Sequence, residues 1–251
     1  MPESFEHHFQ FSLAAAADKS GNCHRIDYIV ADKWLLTIAS APLRYLKAFR
    51  DQDRGESLSG RLTPAALTAS LLDWHIEDYQ AEIADIQRRV DQIDSDVLGK
   101  NEQRPPLASL ATLRSRVADL RQRLGDHRLV IHGLIRPDFS HIAGHPHAEY
   151  FVALERHFDR TEDGLDRARE MIVGSFELYA TRTAQDTNEL VKVLTLVTVV
   201  IGLSSAIAGI FGMNFDTPLT RTGLFGFITT VVGMIGLAGT VFGIARWRRW
   251  F

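Results

Sequence analysis

Charge is missing from two long stretches of this 251-residue chain. Val193 to Phe215 is 23 consecutive residues without Asp, Glu, Lys or Arg, and Thr222 to Ala245 is 24 more. Neither run contains histidine, which excludes an intramembrane proton relay or voltage sensor should they lie in a bilayer. Cysteine is nearly absent: Cys23 stands alone, so there is no internal disulfide and a reducing compartment fits. A basic excess is missing as well. Residues 1–192 hold 24 Lys+Arg against 30 Asp+Glu, which leaves no face suited to nucleic acid. No phosphate loop and no nucleophile–base constellation occurs, so enzymatic chemistry is not expected. Phe11–Ala17 is apolar but short, and no Lys or Arg precedes it, unlike a secretory leader.

What is present divides the chain. A bilayer core of about 30 Å needs about 20 apolar helical residues, and both uncharged runs are long enough. A chain of this size offers too little protein to bury two such helices, so they read as a transmembrane hairpin. The first span is expected over 190–212, an outer loop over 213–223 and the second span over 224–245. A tail follows at 246–251, with Arg246, Arg248 and Arg249 beside Trp247 and Trp250. Positive charge prefers the cytoplasmic side, which places both termini there.

Before the spans, His24–Ser40 has two β-rich runs around Ala31-Asp32-Lys33 and reads as a strand pair. Two strands alone are marginal. Either the first 20 residues add to the sheet or the sheet is incomplete. Ala41–Gln52 starts a short helix, Gly55–Gly60 is a loop, and 1–62 reads as a small α/β region. Residues 63–189 are helical. Thr63-Pro64 is a start signal, and Leu67, Leu71, Trp74, Ile83, Ile86, Val90, Ile93 and Val97 keep helical spacing up to Gly99. After Pro105-Pro106 a second helix carries Leu110, Leu113, Val117, Leu120, Leu124, Ile131 and Leu134. In the third, Phe151, Phe158, Leu165, Ile172 and Tyr179 recur every seven residues beside Leu154, Thr161, Ala168 and Ser175. That is a coiled-coil seam, and one helix is expected from about Glu149 to Gly212, against a kinked pair meeting near Gly174.

One face of the first span reads Leu194, Thr198, Gly202, Ser205 and Gly209, small or hydroxylated among bulky Val, Leu and Ile. Small residues let helices approach, and the same row could line a conduit. Two helices cannot enclose one, so a pore requires several copies about an axis. Gly212-Met213-Asn214 would then form a ring at its outer end. Magnesium sheds its water reluctantly, so amide and carbonyl oxygens there could hold it hydrated. Alternatively, Asn214 only caps the helix. The second span carries Gly226, Gly233, Gly236, Gly239 and Gly243; the last two have packing spacing.

The blocks "ELVKVLTLVTVV" and "AIAGIFGMNFD", followed by a second span and a basic end, resemble the CorA-type divalent-cation transporters, including their ZntB-like zinc members. The resemblance implies a mainly α membrane protein with a short N-terminal α/β region, a coiled-coil stalk helix and two C-terminal transmembrane helices. It further implies a homopentameric funnel in the bacterial inner membrane that passes hydrated Mg2+, with Co2+ or Ni2+ as further ions, and needs no resident cofactor. Asn214 would sit in the selectivity ring shaped by Gly212 and Met213. Asn188 and Leu194 would form the gate, and Thr198, Gly202, Ser205 and Gly209 the path between. This chain departs from the pattern at Phe211, where the family has Tyr. It lacks the mid-span proline, its outer loop carries Arg221 and only one acid, Asp216, and its α/β region reads as short.

Zinc favours imidazole, and His141, His145 and His147 share one loop, so a cytoplasmic zinc site and Zn2+ transport form the alternative. From a different class, the chain would be a non-conducting, membrane-anchored coiled-coil scaffold.

Overall fold

The computed structural model describes residues 1–16, 24–52, 62–99, 106–212 and 223–247. The expected Gly55–Gly60 loop, Cys23, Met213, Asn214, most of the outer loop and the end of the basic tail lie outside the described residues. The chain divides into two compact units, Met1–Tyr179 and Ala180–Phe251.

In the first unit the amino-terminal residues do join the sheet. Strands β1 (Glu3–Ser4), β2 (His8–Ala14), β3 (Arg25–Ala31) and β4 (Leu35–Ala39) form one antiparallel sheet in sequence order. Alternation dictates which face is buried. Phe9, Phe11 and Leu13 of β2 pair with Val30, Tyr28 and Ile26 of β3, and all six are buried. On the opposite face Ser12 donates to Asp27 at 2.5 Å, and Arg25 pairs with the same carboxylate at 2.8 Å. A one-residue slip would exchange these two sets, so the register is strongly specified. The β3–β4 hairpin closes through a bond from the Ala31 amide to the Trp34 carbonyl at 3.0 Å, across Asp32-Lys33.

Helix α1 (Arg44–Gln52) follows, then α2 (Pro64–Leu98), α3 (Pro106–Ile135) and α4 (Ala148–Gly212). Thr63 caps α2 as expected, accepting from the Ala66 amide at 3.3 Å with Pro64 in the first turn. Gly99 ends α2 with its amide bonded to the Ser95 carbonyl at 2.9 Å. The heptad residues of α4 are buried from Phe151 to Ser175. Phe151, Leu154, Phe158, Leu165, Ala168 and Ile172 lie in one cluster with the buried faces of α2, α3 and the sheet. Gln80 donates to Thr161 at 3.0 Å, and Gln87 to the Gly164 carbonyl at 3.2 Å, tying α2 to this seam. The seam is therefore filled by the chain's own helices. No break occurs at Gly174, so the single-helix expectation holds over the kinked pair.

The apolar face of α2 is broader than the spacing predicts, because Leu72, Ile76 and Tyr79 are also buried. Two histidines share that layer. His75 on α2 and His127 on α3 are both buried, with ring centroids 5.1 Å apart at an edge-to-face angle. Tyr79 lies 5.2 Å from His127 and Tyr45 lies 5.0 Å from His75. Neither ring nitrogen of His75, nor Nε2 of His127, has a hydrogen-bond partner among the described residues.

The second unit holds the carboxyl-terminal part of α4 and α5 (Gly223–Trp247). Both helices are apolar enough, over 18-residue windows and by length, to cross a membrane.

Candidate functional site

The sequence places a row of candidates on α4, and backbone geometry decides whether they share a face. At 3.6 residues per turn, Leu194, Thr198, Gly202, Ser205, Gly209 and Gly212 fall within about 80° of one another, and Asn188 lies about 40° beyond that arc. All seven are exposed in the single chain, Leu194 at 67%. The less exposed positions of the same segment are Leu196, Val200, Ser204 and Ile207. Their mean direction is about 160° around the helix from the candidate row. The row is exposed, as are most side chains of this segment, Val197, Ile201, Leu203 and Ile210 among them, and what sets it apart is that its side chains from Thr198 to Gly212 are small or hydroxylated. A Cβ added at Gly202, Gly209 or Gly212 would meet nothing within 4 Å.

Thr198 donates its hydroxyl hydrogen to the Leu194 carbonyl at 2.8 Å. Its donor is spent inside the helix, so the oxygen is left to present lone pairs outward. Thr195 makes the same back-bond, to Val191 at 2.7 Å. Such a row offers acceptor oxygens and no formal charge. It can solvate water around a cation but cannot strip that water, which would take several charged or carbonyl ligands at once.

Gly212 is the last residue of α4. Met213 and Asn214, the rest of the expected ring, lie outside the described residues. On α5 the less exposed positions are Gly226, Thr230, Met234, Leu237, Ala238, Val241 and Ala245. Gly239 and Gly243 are exposed, with nothing within 4 Å of an added Cβ. The packing expected of that pair is therefore not made among the described residues.

The histidine loop between α3 and α4 is a hydrogen-bonded structure. His141 Nε2 meets the Phe5 carbonyl at 2.8 Å and His147 Nε2 meets the His141 carbonyl at 3.1 Å. The rings of His145 and His147 stack with centroids 5.2 Å apart. Among the described residues no group of three His, Cys, Asp or Glu side chains is placed to hold a metal ion. A cavity of about 630 Å³ opens in the first unit, lined by Ala66, Ala69, Asp73, Tyr150, Leu154 and His157 among others. Its polar lining includes Ser70, Gln80, Arg160 and the Asp73–His157 pair at 2.5 Å. Sequence reasoning missed this pair, because the partners lie 84 residues apart and neither belongs to a motif.

The sequence profile of a family described as CorA-like Mg2+ transporter protein matches residues 3–245. The cobalt/magnesium transport protein CorA of Thermotoga maritima is 26% identical over 178 residues, which is 70% of this chain and 50% of that relative. The chain thus spans about half the length of the curated relative it matches. Among solved structures, the CorA magnesium transporter from Methanocaldococcus jannaschii superposes with a TM-score of 0.79 at 19% identity, over 100% of this chain and 80% of that one. The full-length CmaX protein gives 0.69 at 20% identity, over 98% of this chain and 76% of that one. At these identities the two structures establish the fold.

Proposed function

The chain belongs to the CorA-like Mg2+ transporter family, and on that premise we propose that several copies assemble around an axis to pass hydrated divalent cations, Mg2+ first among them. The observation that carries this reading is the bare, small and hydroxylated face of α4. Small and hydroxylated side chains suit close contact with neighbouring helices or water better than the bulky Val, Leu and Ile around them, and a symmetric ring of copies supplies both. Five copies are the expected number. The reading places Thr198, Gly202, Ser205 and Gly209 along the water path and the Gly212-Met213-Asn214 ring at its outer mouth. Leu194 and Asn188 take the narrow inner end, where an apolar ring can close by excluding water.

The driving force is the membrane potential. A divalent cation moving to the negative side gains about 4.6 kcal/mol per 100 mV, twice the single-charge figure. Passive flow inward across the bacterial inner membrane therefore needs no coupled reaction. The reading puts the amino-terminal unit and both termini in the cytoplasm, supported by Arg246, Arg248 and Arg249 at the end of the sequence.

The test is Mg2+ entry into liposomes loaded with a magnesium-sensitive dye, wild type against Asn214→Ala. We expect robust flux for wild type and loss of most of it for the variant at equal incorporation. Wild-type flux at the rate of empty liposomes would overturn the transport reading and leave a scaffold. Competition by Zn2+ separates the metals: inhibition of Mg2+ entry at equimolar Zn2+ or less would make zinc the preferred cargo.

A further inference from the structure

Buried histidines that lack partners are uncommon, because an unsatisfied polar group in an apolar layer costs free energy. Here both ring nitrogens of His75 and Nε2 of His127 have no hydrogen-bond partner among the described residues, and the two rings meet edge to face. His75 of α2 and His127 of α3 meet each other and Tyr79, His75 also meets Tyr45 of α1, and the Ala14 carbonyl at the end of β2, which accepts from Tyr79, lies beside both histidines. We propose that this pair is an acid-sensitive latch: both rings are neutral while the sheet is closed on α2 and α3, and proton uptake releases the sheet from them.

Burial outweighs the few surrounding groups that favour a proton. From α1, Tyr45 presents its ring while its hydroxyl is joined to Tyr28 of β3 at 2.9 Å. From α2, Tyr79 presents its ring with its hydroxyl committed to the Ala14 carbonyl at 2.8 Å. Asp78, the nearby acid on α2, is held by Arg44. From α3, Arg123 is itself buried and paired with Asp119, and its charge disfavours a second cation. Asp126 pulls the other way, as does the Ala14 carbonyl at the end of β2, but that carbonyl already accepts from Tyr79. The net effect of burial is to hold His75 well below the ordinary imidazole value, with His127 adding to the shift, and to push His127 down to about 4.

The sign follows from linkage. Both folded values are depressed, so above about pH 6.5 neither histidine contributes to pH dependence. As pH falls below 6.5 the open state binds protons that the closed state refuses, and the closed state loses ground until its own groups titrate. At pH 5, for His127 alone, an ordinary value of 6.5 against about 4 favours opening about 30-fold. His75 acts in the same direction. A second proton would place two imidazolium ions with centroids 5.1 Å apart, and their repulsion adds to the release.

Amide hydrogen exchange on the full chain in lipid nanodiscs tests this, at pH 7.5 and 5.0 after correction for intrinsic exchange rates. Peptides covering β2 and β3 are expected to lose protection at least tenfold more than those of α5. The His75→Phe/His127→Phe variant keeps aromatic volume without a titrating group and is expected to retain its protection at pH 5.0. Equal loss in wild type and variant, or no loss in wild type, would overturn the latch. Should the double variant fail to fold, histidine ring NMR of the wild type decides. Two rings that stay neutral to below pH 5.5 while the sheet is protected support it, and two that titrate near 6.5 with the sheet intact sink it. Protection rather than flux is read, so failure of the transport reading leaves the result unaffected.

Discussion

Tyr79 donates its hydroxyl hydrogen to the main-chain oxygen of Ala14 at 2.8 Å, joining α2 to the last residue of β2 across 65 positions of sequence. Tyr79 is fully buried, and the bond answers a carbonyl at the strand's end. Removing the hydroxyl should leave that carbonyl unsatisfied. We expect Tyr79→Phe to cost about 1–2 kcal/mol, read as a lower urea midpoint for loss of tyrosine fluorescence. Tyr79→Leu also removes the ring that contacts His75 and His127 and should cost more.

The packed part of α4 ends near Ser175, and the divide is testable. Ile172 is 2% exposed whereas Leu190 is 71% exposed, on the same helix. Ile172→Ala should destabilise the first unit by about 2–5 kcal/mol through lost burial and the cavity left behind. Leu190→Ala should leave its stability within about 0.5 kcal/mol of wild type. Urea denaturation of the two variants in the same detergent compares them directly. An equal cost at both positions would mean that packing continues past Tyr179.

Much of this was legible because period and burial agree. The alternation in Arg25–Ala31 marks the buried face of β3, and the seven-residue recurrence from Phe151 marks that of α4. The first strands escaped the pattern because seven residues with alternating Phe are a short signal. Their meaning appears only when Phe9, Phe11 and Leu13 meet Val30, Tyr28 and Ile26. His75 and His127 were illegible for a different reason: each reads alone as a polar residue on an apolar face, and only the packing of α2 on α3 brings them together. The row from Leu194 to Gly212 could be read in sequence as a face. That it points away from the less exposed row of α4 could not.

Asp27 offers a check on the outer face of the sheet. The Ser12 hydroxyl holds its carboxyl below the usual range, against the opposing effect of burial, and Arg25 adds to the lowering. A depressed folded value means the contribution is present above the unfolded value and is lost as pH falls through the folded one. Ser12→Ala should raise the Asp27 titration midpoint toward the ordinary carboxylate value, observed by carbon NMR of labelled aspartate. The stability change should be small, since Arg25 is mostly exposed and water screens the pair. No movement of the midpoint would assign the shift to Arg25 alone.

Gly202 and Gly243 separate a water path from a packing surface. Both lie in spans, and at each an added Cβ would meet open space within the chain, so neither substitution strains the monomer. Gly202, however, lies in the row with Thr198 and Ser205, whereas Gly243 lies on α5. If the α4 row lines the conduit, Gly202→Leu projects a ring of bulky apolar side chains into it from every copy. Flux into liposomes should fall at least tenfold while size-exclusion elution of the assembly is unchanged. Gly243→Leu should leave flux within about twofold. The reverse pattern would move the water path to α5, and loss of assembly in Gly202→Leu would make the α4 row a contact between copies instead of a lining.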